Sequence, residues 1–100
     1  MLMTWDVKLS RRTAKHIKGL PKAIQERLEL LVQRIRQEGP EQDWAPNYGK
    51  IRGTKDCHHC HLKKGRPTYV AVWKVIDMKA KEVEVTYAGT HEKADYKRFC

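Results

Sequence analysis

Residues 4 to 9, Thr-Trp-Asp-Val-Lys-Leu, alternate Trp5, Val7 and Leu9 with Thr4, Asp6 and Lys8, the period of a strand with one buried face. A first strand is therefore expected over 3–9. Ser10 then offers an N-cap, and "RRTAKHIKGL" supplies a short helix that should stop at Gly19. Pro21 suits a first helical turn, and Ile24, Leu28, Leu31 and Ile35 recur at helical spacing until Gly39 and Pro40 end the run. A helical hairpin should follow the first strand. Residues 39–49, "GPEQDWAPNYG", have two prolines, two glycines and no periodicity, which predicts a loop pinned by Trp44 and Tyr48.

Beyond the loop the pattern returns to strands. A short one is expected over 50–53 and another over 57–63. "KKGR" then gives a tight turn before "PTYVAVWKVID" at 67–77, rich in β-branched and aromatic residues. After a turn at "MKAK", Val83, Val85 and Tyr87 alternate with Glu82, Glu84 and Thr86. The predicted class is α+β in the order β-α-α-β-β-β: an antiparallel sheet with the helical hairpin on one face and the other face partly free. No repeat, low-complexity tract or boundary divides residues 1–100, so a single domain is expected.

Composition narrows the function classes. One hundred residues, 40% of them hydrophobic, suffice for one core without structural metals or disulfides. The longest apolar runs, such as "YVAVW" at 69–73, fall far short of the roughly 20 residues that span a bilayer. The N-terminal stretch lacks the basic start and apolar core of an export signal, so the cytoplasm is the expected location. Three cysteines, an odd count, fit reduced thiols better than a disulfide framework.

The formal net charge is +9, with 21 Lys and Arg against 12 Asp and Glu. Lys8, Arg11, Arg12, Lys15, Lys18 and Lys22 run without an intervening acid. Lys50, Arg52, Lys55, Lys63, Lys64 and Arg66 meet only Asp56. Two basic surfaces are implied, and a polyanion is the first partner they suggest, ahead of an acidic protein.

Between these surfaces lies "DCHHCHLKKGRP", residues 56–67. Cys57-x-x-Cys60 is half of a zinc site, but no second Cys-x-x-Cys or His-x3-His pair completes it. A thioredoxin-type redox pair belongs at a strand-to-helix turn, and this one falls in a predicted strand, so both cysteines read as small buried hydrophobes. In an extended chain 57, 59 and 61 share one side. Leu62 and Cys60 suit the helix-covered face, which leaves His59 and His61 on the free face, with Lys63 continuing it and Lys50, Arg52 and Arg66 nearby. Imidazoles beside cations can exchange protons at a bound phosphate near neutral pH, as RNA cleavage requires.

The last third, "VEVTYAGTHEKADYKRF", ends a strand in Gly-Thr-His with a tyrosine five positions later. With the opening strand, the hairpin ending in "GP", and the "KIRG", "HCHL" and "YVAVWKVID" strands, this order resembles the RelE/ParE superfamily of toxins from bacterial type II toxin-antitoxin systems, over essentially the whole chain. The "HCHL…GTH" pattern looks most like the YafQ-like branch of RelE-type mRNA interferases.

The resemblance implies a ribosome-dependent endoribonuclease that inhibits translation without a metal or other cofactor, the RNA 2'-hydroxyl attacking the scissile phosphate. It makes His61 and His91 the acid and base, and Tyr96 the aromatic that positions substrate. Lys50 and Arg52 match a strand of phosphate-binding cations, and Lys55, His59 and Lys63 join that RNA-binding group. The central arginine of RelE is matched by Val70 and its late arginine by His91. A histidine-based variant follows, in which Arg66 or Lys63 supplies the missing cation. The implied partners are the ribosome, mRNA and a cognate antitoxin, the free toxin being monomeric and the antitoxin complex hetero-oligomeric. A ParE-like gyrase inhibitor and a non-catalytic basic binding module are the alternatives, and the histidine pair separates them.

Overall fold

A computed structural model describes residues 4–54 and 56–100. Five strands, β1 (Asp6–Leu9), β2 (Gly49–Lys50), β3 (Cys57–Lys63), β4 (Tyr69–Asp77) and β5 (Glu82–Thr90), form one sheet in the order β1-β5-β4-β3-β2. Helices α1 (Arg11–Lys18) and α2 (Lys22–Glu38) follow β1, and a single 3-10 turn (His91–Lys93) and a one-turn helix α3 (Tyr96–Phe99) follow β5. The α+β class is as the sequence predicts. Two details differ. The sheet is mixed, because β1 pairs parallel to β5 along its edge, a direction set by the helical hairpin that carries the chain back across the sheet. The strand expected over 50–53 is only Gly49–Lys50, since the chain turns at 52–53 and Asp56 takes a positive φ of 53°.

Helix α1 begins at a capping residue. The Ser10 hydroxyl accepts the N–H of Thr13 at 3.1 Å. Gly39 ends α2 with a φ of +96°, and a Cβ there would stand 3.0 Å from the Trp5 indole nitrogen, so both backbone and packing require glycine. Ile24, Leu28, Leu31 and Ile35 pack against Cys60, Leu62, Ala71, Trp73, Val83 and Val85. Each such buried side chain contributes roughly 1.5–3 kcal/mol.

The loop after α2 is anchored differently from expectation. Trp44 is half exposed, with the Arg34 guanidinium 4.9 Å over its ring. The anchors are Gln42, fully buried and donating to the Gly39 carbonyl at 2.8 Å, and Trp73, whose indole N–H donates to the Pro40 carbonyl at 2.9 Å. Tyr48 does pin the loop, stacking on Trp73 and His58.

The second face of the sheet is partly covered, as expected. Cys57, Val70, Val72 and Tyr87 form a smaller cluster on it, covered by Ala94, Tyr96, Phe99 and Cys100 of the C-terminal segment. The reduced-thiol expectation is overturned at the same place: Cys57 is disulfide-bonded to Cys100, and only Cys60 remains a free, buried thiol. The C-terminal helix brings Cys100 to β3, a tertiary approach to which sequence spacing is blind.

Candidate active site

Strand β3 sorts its side chains between the two faces. His58 points to the helix side, its ring 5.8 Å from Trp73 and nearly parallel to it, with the Tyr48 hydroxyl hydrogen-bonded to Nδ1 at 2.8 Å. His59 and His61 point the other way, paired in register with Val72 and Val70. Beyond His61 the register shifts at a bulge, so strict alternation ends there and does not extend to the exposed Lys63.

His91 arrives from the end of β5. Its backbone N–H donates to the Thr68 carbonyl at 2.8 Å, which fixes it beside the 64–68 turn. The rings of His61 and His91 meet edge to face, with centroids 5.9 Å apart and an interplanar angle of 72°. Tyr96 reaches over His59, ring centroids 5.5 Å apart. Three histidines and one tyrosine from one strand, a turn and a helix thus share one patch.

Burial acts on the two histidines of β3 and on Tyr96. Desolvation is the largest influence lowering the pKa of both His59 and His61; the neighbouring histidines add to it, and at His61 so does Lys64. The neutral imidazole is therefore favoured at both. On each ring Nδ1 is buried without a partner, so Nδ1 is the sheltered nitrogen. The Tyr96 hydroxyl is pushed up by burial. Among the described residues no group of three His, Cys, Asp or Glu side chains is arranged to hold a metal.

The expected cations are less tightly gathered than the histidines. Arg66 and His91 line one open cleft of about 370 Å³ with Gly65, Pro67, Thr68 and Glu92. Lys50 is paired with His58, so its side chain leaves the sheet on the helix side, across from His59 and His61. Its charge acts accordingly on His58, whose pKa is lowered by burial and then by Lys50. The position opposite His59 is Gly49, where a Cβ would approach Nε2 to 3.4 Å. Arg52 is exposed in the turn beyond β2. Lys55 lies outside the described residues. Lys64, left out of the expected site, is the cation felt by His61.

A second basic cleft, of about 180 Å³, opens between α1 and α3 over β5, with Arg12, His16 and Arg98 around a floor of Tyr87 stacked on Phe99 at 4.6 Å. Sequence reasoning placed cations on α1 but missed the partner element. Asp95, whose carboxylate accepts the Arg98 N–H at 3.3 Å, is the capping signal that could have revealed α3.

No family model matches the chain, and no curated protein is significantly similar to it. Solved structures do match. A variant of the E. coli toxin RelE in the free state is 25% identical, with a TM-score of 0.71 over 92% of this chain and 88% of its own. A chain of the intact E. coli RelBE toxin-antitoxin complex is 27% identical, with a TM-score of 0.62 over 91% and 98%. In its fold the chain is like the RelE toxins. The archaeal RelE–RelB complex from Pyrococcus horikoshii, at 22% identity, shares the fold with a TM-score of 0.68 over 92% of this chain and all of its own. Within this RelE-like fold the centre of the sheet beside His61 is apolar, because Val70, its partner in register, is fully buried.

Proposed function

We propose that this protein is the toxin of a type II toxin-antitoxin module and an mRNA interferase acting in the cytoplasm on ribosome-bound mRNA, nearest in its histidines to the YafQ-like branch. The observation that carries the reading is the juxtaposition of His61 and His91, edge to face at 5.9 Å, beside the cleft that holds Arg66. In-line attack by an RNA 2'-hydroxyl needs a base at the nucleophile, an acid at the leaving 5'-oxygen and positive charge near the phosphorus. His61 is half-buried and biased to the neutral form, which suits the base acting through Nε2. His91 is exposed at the cleft and serves as the acid. Arg66 and Lys64 hold the phosphate, and Tyr96 over His59 gives a flat surface for a base. The nucleophile belongs to the substrate, so this chemistry runs on protein side chains alone.

Lys50, Arg52 and the α1 cations contact RNA further from the reacting bond. Solved relatives include complexes of RelE with the antitoxin RelB, and we infer an antitoxin partner for this chain as well. Translation of a defined mRNA in a reconstituted bacterial system, with cut sites mapped by primer extension, tests the reading. Wild-type protein should cut at A-site codons, and both His61→Ala and His91→Ala should abolish the cuts. Intact mRNA with wild-type protein would shift the reading to gyrase inhibition or to binding alone.

A further inference from the structure

The chemistry above leaves the cysteines unused. Cys57 opens β3 on the face that carries His59 and His61, and it is bonded to Cys100 across a sequence separation of 43, with Cα atoms 5.9 Å apart. The remaining cysteine, Cys60, is buried on the other face, where desolvation raises its pKa to about 12. It does not compete as a thiolate.

What the bond restrains is specific. His91 is held independently, through its N–H on the Thr68 carbonyl. The backbone hydrogen bonds of α3, by contrast, close on themselves: Arg98 and Phe99 donate to Asp95, and Cys100 donates to Tyr96. One helical turn has no stability of its own. It is held to the sheet by Phe99 on Tyr87, by Tyr96 over His59, and by the disulfide. We propose that Cys57 and Cys100 form a reversible thiol–disulfide site: oxidised, it clasps α3 and Tyr96 onto the histidine face, and reduced, it releases α3 while His61 and His91 stay together.

The reactivity of the pair fits this role, and the proposed cytoplasmic setting agrees with it. Persistent disulfides are uncommon in a reducing cytoplasm, where those that form are mostly transient or redox-sensing. Cys57 is fully buried, whereas Cys100 is partly exposed and is the sulfur that a small thiolate reaches first. Its attack forms a mixed disulfide on Cys100 as the Cys57 thiolate leaves and takes up a proton. A second thiolate then frees Cys100 and departs as the low-molecular-weight disulfide. Oxidation by that small disulfide runs the same steps in reverse. The expected consequence for RNA rests on the proposed function, whereas the clasp itself does not.

The whole protein should be equilibrated in glutathione buffers of rising reduced-to-oxidised ratio. Alkylation and mass spectrometry follow the Cys57–Cys100 bond, and hydrogen exchange follows residues 94–100. Exchange over α3 should rise about tenfold or more as the bond is reduced, while peptides from β3 and β5 keep their protection. Cys100→Ser and the double variant Cys57→Ser/Cys100→Ser should show the reduced-state rate in every buffer, and Cys60→Ala should follow wild type. Equal exchange in both states, or no bond at any ratio, would overturn the proposal. Cleavage of ribosome-bound mRNA, measured alongside, should be slower in the reduced form. Absence of cleavage in both forms would defeat the enzymatic reading, and the exchange data would still decide the clasp.

Discussion

His61 and His91 stand edge to face with ring centroids 5.9 Å apart, and only His61 is sheltered. The asymmetry underlies the roles proposed for the two. Desolvation first, then the charges of His91 and Lys64, lowers the His61 pKa, so its base form is available at neutral pH and is lost only as pH falls below the ordinary imidazole value. Reversing the charge at Lys64 removes one of those influences and adds an attraction for the imidazolium. The acid limb of single-turnover RNA cleavage should therefore move to higher pH in Lys64→Glu, with the alkaline side retained. An unmoved limb would take His61 out of the role of base.

The same burial makes fold stability depend on pH. His58, His59 and His61 all have folded-state values below the ordinary 6.5, each through desolvation first. Above 6.5 neither folded nor unfolded chain holds these protons. Below it the unfolded chain takes them up first, so stability is full above about pH 6.5 and declines as pH falls toward the lowered values. Denaturant midpoints between pH 7.5 and 5 should fall accordingly. In His58→Phe, which keeps a ring against Trp73 and removes one titrating group, the decline should be shallower.

How much of this was legible in the sequence depended on whether the cause was local. The helical period of Ile24, Leu28, Leu31 and Ile35 and the alternation along β3 are local patterns, and they correctly gave the helix-covered core and the shared face of His59 and His61. The parallel pairing of β1 with β5, the seating of α3 and the approach of Cys100 to Cys57 are long-range events without a spacing signature. Lys50 shows how one residue of register decides placement. Paired with His58, not His59, it falls on the wrong side of the sheet to join the histidine patch. His91 reached the site by resemblance alone, since nothing in its own surroundings marks it.

Gly89 is a packing requirement that the "GTH" stretch does not announce. A Cβ there would lie 2.6 Å from the Tyr87 hydroxyl oxygen and 3.0 Å from His16 Nε2. Tyr87 cannot easily yield, being buried, stacked on Phe99 and donating its hydroxyl to the Thr90 carbonyl at 2.7 Å. Gly89→Ala should cost about 1–3 kcal/mol by overpacking, read from urea melts. It should also loosen α3, visible as faster exchange over 94–100. Gly53→Ala, where a Cβ meets nothing within 4 Å but φ is +79°, separates steric from backbone cost.

The cleft between α1 and α3 offers a second basic surface apart from the histidines. Arg12 and His16 come from one element and Arg98 from another, no carboxylate lines the cleft, and its floor is aromatic. A phosphodiester can neutralise both guanidiniums there, releasing counterions as it binds. For a single-stranded oligoribonucleotide titrated at several salt concentrations, Arg12→Ala and Arg98→Ala should each weaken binding and each lower the slope of log K against log salt by roughly 0.7, the loss of one phosphate contact. Arg98→Lys should keep the slope because the charge remains. Lys79→Ala, in the turn between β4 and β5, should leave both slope and affinity unchanged. Equal slopes in wild type and in Arg12→Ala/Arg98→Ala would show that RNA bypasses this cleft, confining the binding surface to the patch around His61 and Arg66.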